Sequence, residues 1–217
     1  MLGSVVSELV RLVELGGSVV GVRHGTEEPR YTVEQQIPGV EIRRYGPRIA
    51  AETAVAASEE AARNVGFRRL ARYIFGANHA AAKIAMTAPV AQQPGSVHGQ
   101  KIAKTAPVSQ RAGTDGEWVI RFFMPADTTM QSLPEPDDDA IRLVTVPAET
   151  VAVRRFTGSR SRRAIASQTA ELMRALRFLR DKGFEPTGPP AAWFYDPPWT
   201  IPMLRRNEVV IPVEPNP

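Results

Sequence analysis

The side chains able to do chemistry in this 217-residue chain are few and widely spaced. There is no cysteine, which excludes disulfides, thiolate metal sites and a cysteine nucleophile. The three histidines, His24, His79 and His98, lie far apart with none at ligand spacing from another. A metal site built from protein side chains alone is therefore not expected. Asp137-Asp138-Asp139 has the charge to hold a cation, but it sits in a proline-bounded stretch that reads as a solvated loop. No glycine-rich phosphate loop, dinucleotide fingerprint or helix-borne histidine pair occurs. No feature selects a pair of carboxylates for acid–base work. The chain reads as a binding module, not an enzyme.

Arginine is the abundant functional group. It supplies 23 of the 27 basic residues, with a formal charge of +4 and an isoelectric point near 9.7. A planar guanidinium suits carboxylates and phosphates. The pairs Arg43-Arg44, Arg68-Arg69, Arg162-Arg163 and Arg205-Arg206 are scattered along the chain. They do not make the continuous basic stripe of a nucleic-acid binder, so no nucleic-acid partner is expected.

A single domain of ordinary size must position these groups, and a 43% hydrophobic content is enough for its core. Residues 1–29 read as an amphipathic helix and a linker. Leu2, Val5, Val6, Leu9, Leu12 and Val13 recur near helical spacing, and Gly16-Gly17 ends the run. Glu8, Arg11 and Glu14 interrupt it, and no basic n-region precedes it. Neither a membrane span nor a signal peptide is expected. Residues 1–22 dock on the domain, self-associate, or touch a membrane surface peripherally. The expected location is cytoplasmic, with periplasmic and membrane-associated locations left open.

Residues 30–217 read as one domain in two halves, about 31–131 and 140–213. In the first, Tyr31–Gln35 and Val40–Tyr45 are strands, Pro47 closes a turn, and Ile49–Val55 returns as a hairpin. A helix follows from about Ser58 to Phe75, with Ser58 as N-cap and Gly76 as stop. Phe67, Leu70, Ala71 and Ile74 mark its buried face. In the second half, Ile141–Val146, a turn at Pro147 and Thr150–Phe156 repeat the hairpin. A helix follows from about Arg160 to Lys182, with Ile165, Leu172, Leu176 and Leu179 on one face. Ala192–Tyr195 and Asn207–Val213 are the last strands. Two hairpin–helix–hairpin halves predict an α+β fold: a bent antiparallel sheet or open distorted β-barrel with both helices outside and a cleft between the halves.

The first half also carries a repeat. Lys83-Ile84-Ala85-Met86-Thr87-Ala88-Pro89-Val90 returns at 101–108 with Lys104 in place of Met86. The period-two pattern predicts a strand in each copy, limited to an edge or an end by its proline. By alternation Lys104 lies on the apolar face. There it is a guard against edge pairing or, if that face lines the cleft, a cation for a ligand carboxylate.

Several strings taken together carry a resemblance. They are Val40-Glu41-Ile42-Arg43-Arg44-Tyr45, Tyr73-Ile74-Phe75-Gly76-Ala77-Asn78, Met86-Thr87-Ala88-Pro89-Val90, Phe156-Thr157-Gly158, Tyr195-Asp196-Pro197-Pro198 and Arg205-Arg206-Asn207-Glu208-Val209. In this order the chain resembles the SOUL/haem-binding protein family from about Tyr31 to Val213, and the doubled octapeptide is similar to bacterial members. The resemblance implies two pseudo-symmetric halves related to GyrI-like small-molecule-binding domains. It also implies haem or free porphyrin held non-covalently in a shallow apolar cleft beside the first helix, with no enzymatic activity. One animal member has a histidine proposed as axial ligand just before the tyrosine of the first string. That position is Arg44 here, and a protonated guanidinium is no ordinary iron ligand.

Two modes of haem binding follow. In one, Phe67, Leu70 and Phe75 face the macrocycle and Arg63 and Arg72 take its propionates, with no protein axial ligand. The same apolar residues equally read as the core face of the helix. In the other, iron is ligated by His79, just beyond the helix, or more weakly by Met86. Transport, buffering or sensing of haem is the expected function. A non-haem small-molecule sensor of GyrI-like type and a protein- or membrane-interaction module are the alternatives. Pro197-Pro198-Trp199 is expected to shape the mouth of the cleft.

Overall fold

The computed structural model describes residues 26–95, 116–179, 184–197 and 199–215. The helix expected at 1–22, His98 and the second octapeptide with Lys104 lie outside the described residues. Ten strands and two helices follow in order: β1 (Tyr31–Ile37), β2 (Val40–Tyr45), β3 (Arg48–Ala56), α1 (Glu59–Ile74), β4 (Val90–Pro94), β5 (Glu117–Phe123), β6 (Ile141–Val146), β7 (Glu149–Phe156), α2 (Arg162–Leu179), β8 (Phe184–Pro186), β9 (Ala191–Phe194) and β10 (Asn207–Pro215). A 3-10 turn at Pro202–Leu204 precedes β10.

Nine strands form one sheet in the order β1-β2-β7-β10-β9-β4-β5-β3-β6, and β8 pairs with the far end of β10. The expected α+β architecture is present: a curled antiparallel sheet with both helices on its outer face. The pairing inside it differs from the two hairpins read at residues 40–55 and 141–156. β2 pairs with β7, and β3 pairs with β6. Partner numbers always sum to 194, from Glu41↔Val153 through Tyr45↔Glu149 and Arg48↔Val146 to Thr53↔Ile141. Two long strands therefore run side by side in one register, with Pro47 and Pro147 opposite each other. Proline has no N–H to give a ladder and fixes its own φ. Here it bends a continuing strand instead of reversing the chain. True reversal occurs between β1 and β2 at Pro38-Gly39, where Gly39 takes φ 76°.

Strand alternation then divides the core into layers. Tyr45, Ala50, Ala91, Phe123, Val151, Val153, Trp193 and Val210 meet inside the curl. On the outer face α2 places Leu172 and Leu176 against Ile42, Val209 and Ile211. α1 places Leu70, Tyr73 and Ile74 against Ala51, Ile120 and Phe122. Burying each of these large side chains contributes about 1.5–3 kcal/mol. Glu59 and Glu60 fill the first turn of α1, though the Ser58 side chain makes no capping bond. Gly76, at φ 112°, ends the helix region and its N–H reaches the Tyr73 carbonyl.

The first octapeptide is not the expected strand. Before β4, residues 83–88 are irregular, with one isolated bridge from Thr87 to Glu27. Its polar groups find partners elsewhere: the Ile84 N–H donates to the Ile74 carbonyl, Ala88 N–H to Glu27 and the Thr87 hydroxyl to Phe123. Alternation of residue types was satisfied locally without a ladder, and Met86 is left exposed.

α1 approaches β5 so closely that a Cβ added at Gly66 would stand 2.8 Å from Cβ and Cγ1 of Ile120. Alanine is the better helix former by about 1 kcal/mol, but overpacking costs about 1–3 kcal/mol. Gly66→Ala is expected to lower stability by about 1–2 kcal/mol in urea unfolding. A raised midpoint would contradict this close approach.

Candidate functional site

The inside of the curl is already filled. The Arg48 guanidinium lies 4.4 Å from the Tyr45 ring centroid, 4.6 Å from Phe123 and 5.9 Å from Trp193. It also pairs with Glu149. Beside it, Glu208 is fully buried on β10 and accepts from three groups. Arg43 binds it through Nη1 at 2.9 Å and Nη2 at 3.2 Å, Arg206 Nε at 3.1 Å, and the Tyr195 hydroxyl at 2.6 Å. Arg206 reaches on to Glu28 at 2.9 Å, and Arg43 to Glu41 at 2.7 Å. A second inward carboxylate, Glu52, takes Arg121 at 2.7 Å and Arg142 at 3.3 Å. Buried ions of this kind persist when each charge is paired and hydrogen-bonded. Among the described residues these arginines and carboxylates neutralise each other.

The outer face of the β4–β9 seam is different. α1 covers one half of the sheet and α2 the other, leaving the strands between them as the floor of a groove. Val90 pairs with Phe194 and Gln92 with Ala192 across the seam, and all four point outward by alternation with Ala91 and Trp193. At one end a cavity of about 580 Å³ opens between the N-terminal half of α1 and the start of α2. Glu60, Arg63, Asn64, Phe67 and Arg68 of α1 line one wall. Ser159, Arg160 and Ser161 form the other, with Asp196 and Arg205 at the rim. A second hollow of about 420 Å³ continues along the seam past Gln92, walled by Trp118, Pro94, Ile165 and Pro190. Gln92 stands between them, accepting from Arg63 at 3.3 Å and donating to the Glu59 carbonyl at 2.7 Å.

Positive charge is in surplus in the larger cavity. Arg63 and Arg160 lie over the Phe194 ring at 4.9 and 5.3 Å. Arg160 donates to Asn207 Oδ1 at 3.2 Å and to the carbonyls of Asp196 and Pro197, none of them a charged partner. Neither Arg63 nor Arg160 forms an ion pair with a carboxylate among the described residues. Burial, then the fields of Arg205 and Arg63, pushes Arg160 down to about 10 despite nearby Asp196. Burial likewise lowers Arg63. Both remain cationic at neutral pH, with Glu60 and Asp196 as the carboxylates in the lining.

Of the residues expected to bind, Arg63 and Phe67 line this cavity. Leu70 is fully buried under α1 and offers the groove no surface. Arg72 faces a separate hollow beside Asp137–Asp139. Phe75 is 60% exposed at the far end of α1. His79 lies beyond that end, mostly exposed, 3.4 Å from Glu135 and 3.8 Å from Asp137. Met86 is exposed on the irregular segment, and Arg44 pairs with Glu34 at the surface. Lys104 lies outside the described residues. Phe194, Arg160 and Arg205 were missed. One signal was available for Arg160: the run Gly158-Ser159-Arg160-Ser161-Arg162-Arg163 opens a helix with arginines and no acid, against the preference of a helix N-terminus for negative charge.

A family model described as "SOUL heme-binding protein" matches residues 26–212. No curated protein matches the chain in sequence. Among solved structures, the C-terminal domain of EcmrR superposes with a TM-score of 0.56 at 13% identity, covering 85% of this chain and 98% of that one. EcmrR in a DNA complex gives 0.55 at 12% identity over 81% of this chain and 57% of that one. The chain thus spans a little over half of that longer protein. A Listeria innocua protein described as a hydrolase gives 0.51 at 10% identity, covering 88% and 94%. At these identities the likeness shows a shared fold. Among the described residues no helix is long and apolar enough to cross a membrane.

The filled interior has a pH signature. Burial pushes Tyr45 up to about 12, only partly offset by Arg43, and raises Tyr195 well above its ordinary value with help from the Glu208 charge. An unfolded tyrosine ionises near pH 10. The stabilisation is complete below about pH 10 and is lost as pH rises towards 12, because only the unfolded phenols give up their protons. In urea unfolding, Tyr45→Phe should lose about 2–3 kcal/mol less than the wild type over that window. Equal losses would mean that Tyr45 ionises freely in the folded state.

Proposed function

The chain belongs to the SOUL haem-binding protein family, and from that premise we propose that it binds haem or another tetrapyrrole non-covalently in the groove between α1 and the start of α2. The observation that carries this reading is the convergence of Arg63 and Arg160, neither ion-paired with a carboxylate among the described residues, over the buried Phe194 ring. Half-buried Phe67 and Val90 supply apolar surface for the macrocycle, and Arg63, Arg160 and Arg205 supply cations for its carboxylates. Apolar contact at about 25 cal/mol per Å² provides most of the affinity. The charge-assisted bonds fix which edge enters first.

The residues fit the organic part of the ligand better than its iron. Among the described residues no histidine or methionine lines the cavity, and His79 stands beyond the opposite end of α1. Bound haem supplies redox and gas-binding chemistry at the iron. The chain's own contribution is to seat the ring edge, neutralise the carboxylates and restrict water on one face. That arrangement supports reversible transport, buffering or sensing, not catalysis. A flat non-haem acid satisfies the same arginines and aromatic floor, so free protoporphyrin and hemin should both be tested.

Hemin titration followed at the Soret band is expected to show saturable binding. Arg63→Ala with Arg160→Ala should weaken it at least about tenfold, the size of two lost charge-assisted hydrogen bonds. His79→Ala should leave the bound spectrum unchanged. A spectrum identical to free hemin at excess protein would sink the haem reading. Undiminished binding by the double arginine variant would move the site out of this groove.

A further inference from the structure

The loop before β10 exposes four large apolar side chains within six residues. Trp199 is 57% exposed, Ile201 42%, Met203 78% and Leu204 46%. Scattered exposed apolar residues are ordinary, but a cluster on one projecting loop marks an interaction surface. The exposure is imposed by a built structure. Thr200 N–H donates to the Pro197 carbonyl at 3.2 Å, Leu204 N–H to Ile201 at 2.9 Å and Arg205 Nε to the Thr200 carbonyl at 2.7 Å. The Pro202 carbonyl accepts from Gly158 N–H at 2.8 Å, fastening the turn to the start of α2.

The charge around this loop is mainly basic, although Asp196 stands at the rim and Arg206 is paired with Glu208 and Glu28. Residues 199–207 contain Arg205 and Arg206 and no acid. Neighbouring residues 154–170 carry five arginines and no acid. Arg162 and Arg163 occupy the first turn of α2, where a helix favours carboxylates, and both are exposed. An apolar tip bearing a tryptophan beside a basic collar complements the interface of an anionic membrane: rings and aliphatic groups enter the headgroup boundary and arginines meet lipid phosphates. Arg205 belongs both to this loop and to the rim of the groove, so the groove opens beside the same surface.

We propose that the 199–205 loop, with the arginines at the start of α2, docks on a bilayer that carries anionic headgroups and presents the groove to it. The proposal stands without the haem reading, since apart from Arg205 it rests on a different set of side chains. The full-length chain should cosediment with vesicles of phosphatidylcholine mixed with phosphatidylglycerol and bind poorly to phosphatidylcholine alone. Raising the salt should weaken the association. Met203→Glu with Leu204→Glu should lower the partition coefficient about tenfold or more. Arg162→Ala with Arg163→Ala should lower it several-fold and flatten its salt dependence. Both variants alter exposed side chains, so their thermal midpoints should match the wild type, and the double glutamate variant, which lies outside the groove lining, should also keep the wild-type hemin titration. Failure of the wild type to bind anionic vesicles overturns the proposal. So does undiminished binding by the double glutamate variant, which would assign docking to another segment such as residues 1–22. A self-association abolished by Met203→Glu would show a second copy as the occupant and overturn it as well. Vesicle binding without hemin binding would leave this proposal standing and remove only the haem reading.

Discussion

The antiparallel ladder between residues 41–53 and 141–153 is the constraint on which the remaining architecture depends. Because each half lends a bent strand to the other, neither half can complete its own sheet. β2 extends the half that carries α2, and β6 extends the half that carries α1. The remaining strands must close the gap, which brings β4 and β9 together in the middle. Each helix covers the strands of its own half, so the seam between them is left open on the outer face. The groove is thus a consequence of how the halves are joined, and its two walls come from helices nearly a hundred residues apart.

Charge is distributed along the same division. Inside the curl, removing Arg43, Arg48 or Glu208 from water would cost several kcal/mol for an isolated ion, and each has a partner of opposite sign. In the groove the arginines keep some contact with water and are held by neutral carbonyls, an amide and an aromatic face.

Much of the fold was legible because it rests on local periodicity. The buried face of α1 was visible in Leu70, Ala71 and Ile74, and β10 in the alternation of Val209, Ile211 and Val213. The misreadings have physical causes. Pro47 and Pro147 look like turn residues, yet a proline also bends a strand that continues, and only the partner strand distinguishes the two. The octapeptide alternates like a strand, but its Ile84 and Ala88 N–H groups were taken by the Ile74 and Glu27 carbonyls, so no ladder formed. Of the candidate site, Arg63 and Phe67 were expected from the family resemblance, which points to the first helix. Phe194, Arg160 and Arg205 come from three other places, and no spacing rule connects them.

The sequence by itself determined the family, the α+β class, the order of elements and the absence of thiol chemistry, because these follow from residue type, local period and recurring strings. Only the tertiary structure decided which strands pair, that the interior is closed by its own ion pairs, and that Arg63 and Arg160 meet over Phe194. Those outcomes depend on contacts between residues far apart in the chain. Such contacts are selected by burial and charge compensation in three dimensions, and a linear pattern of residues does not encode them separately.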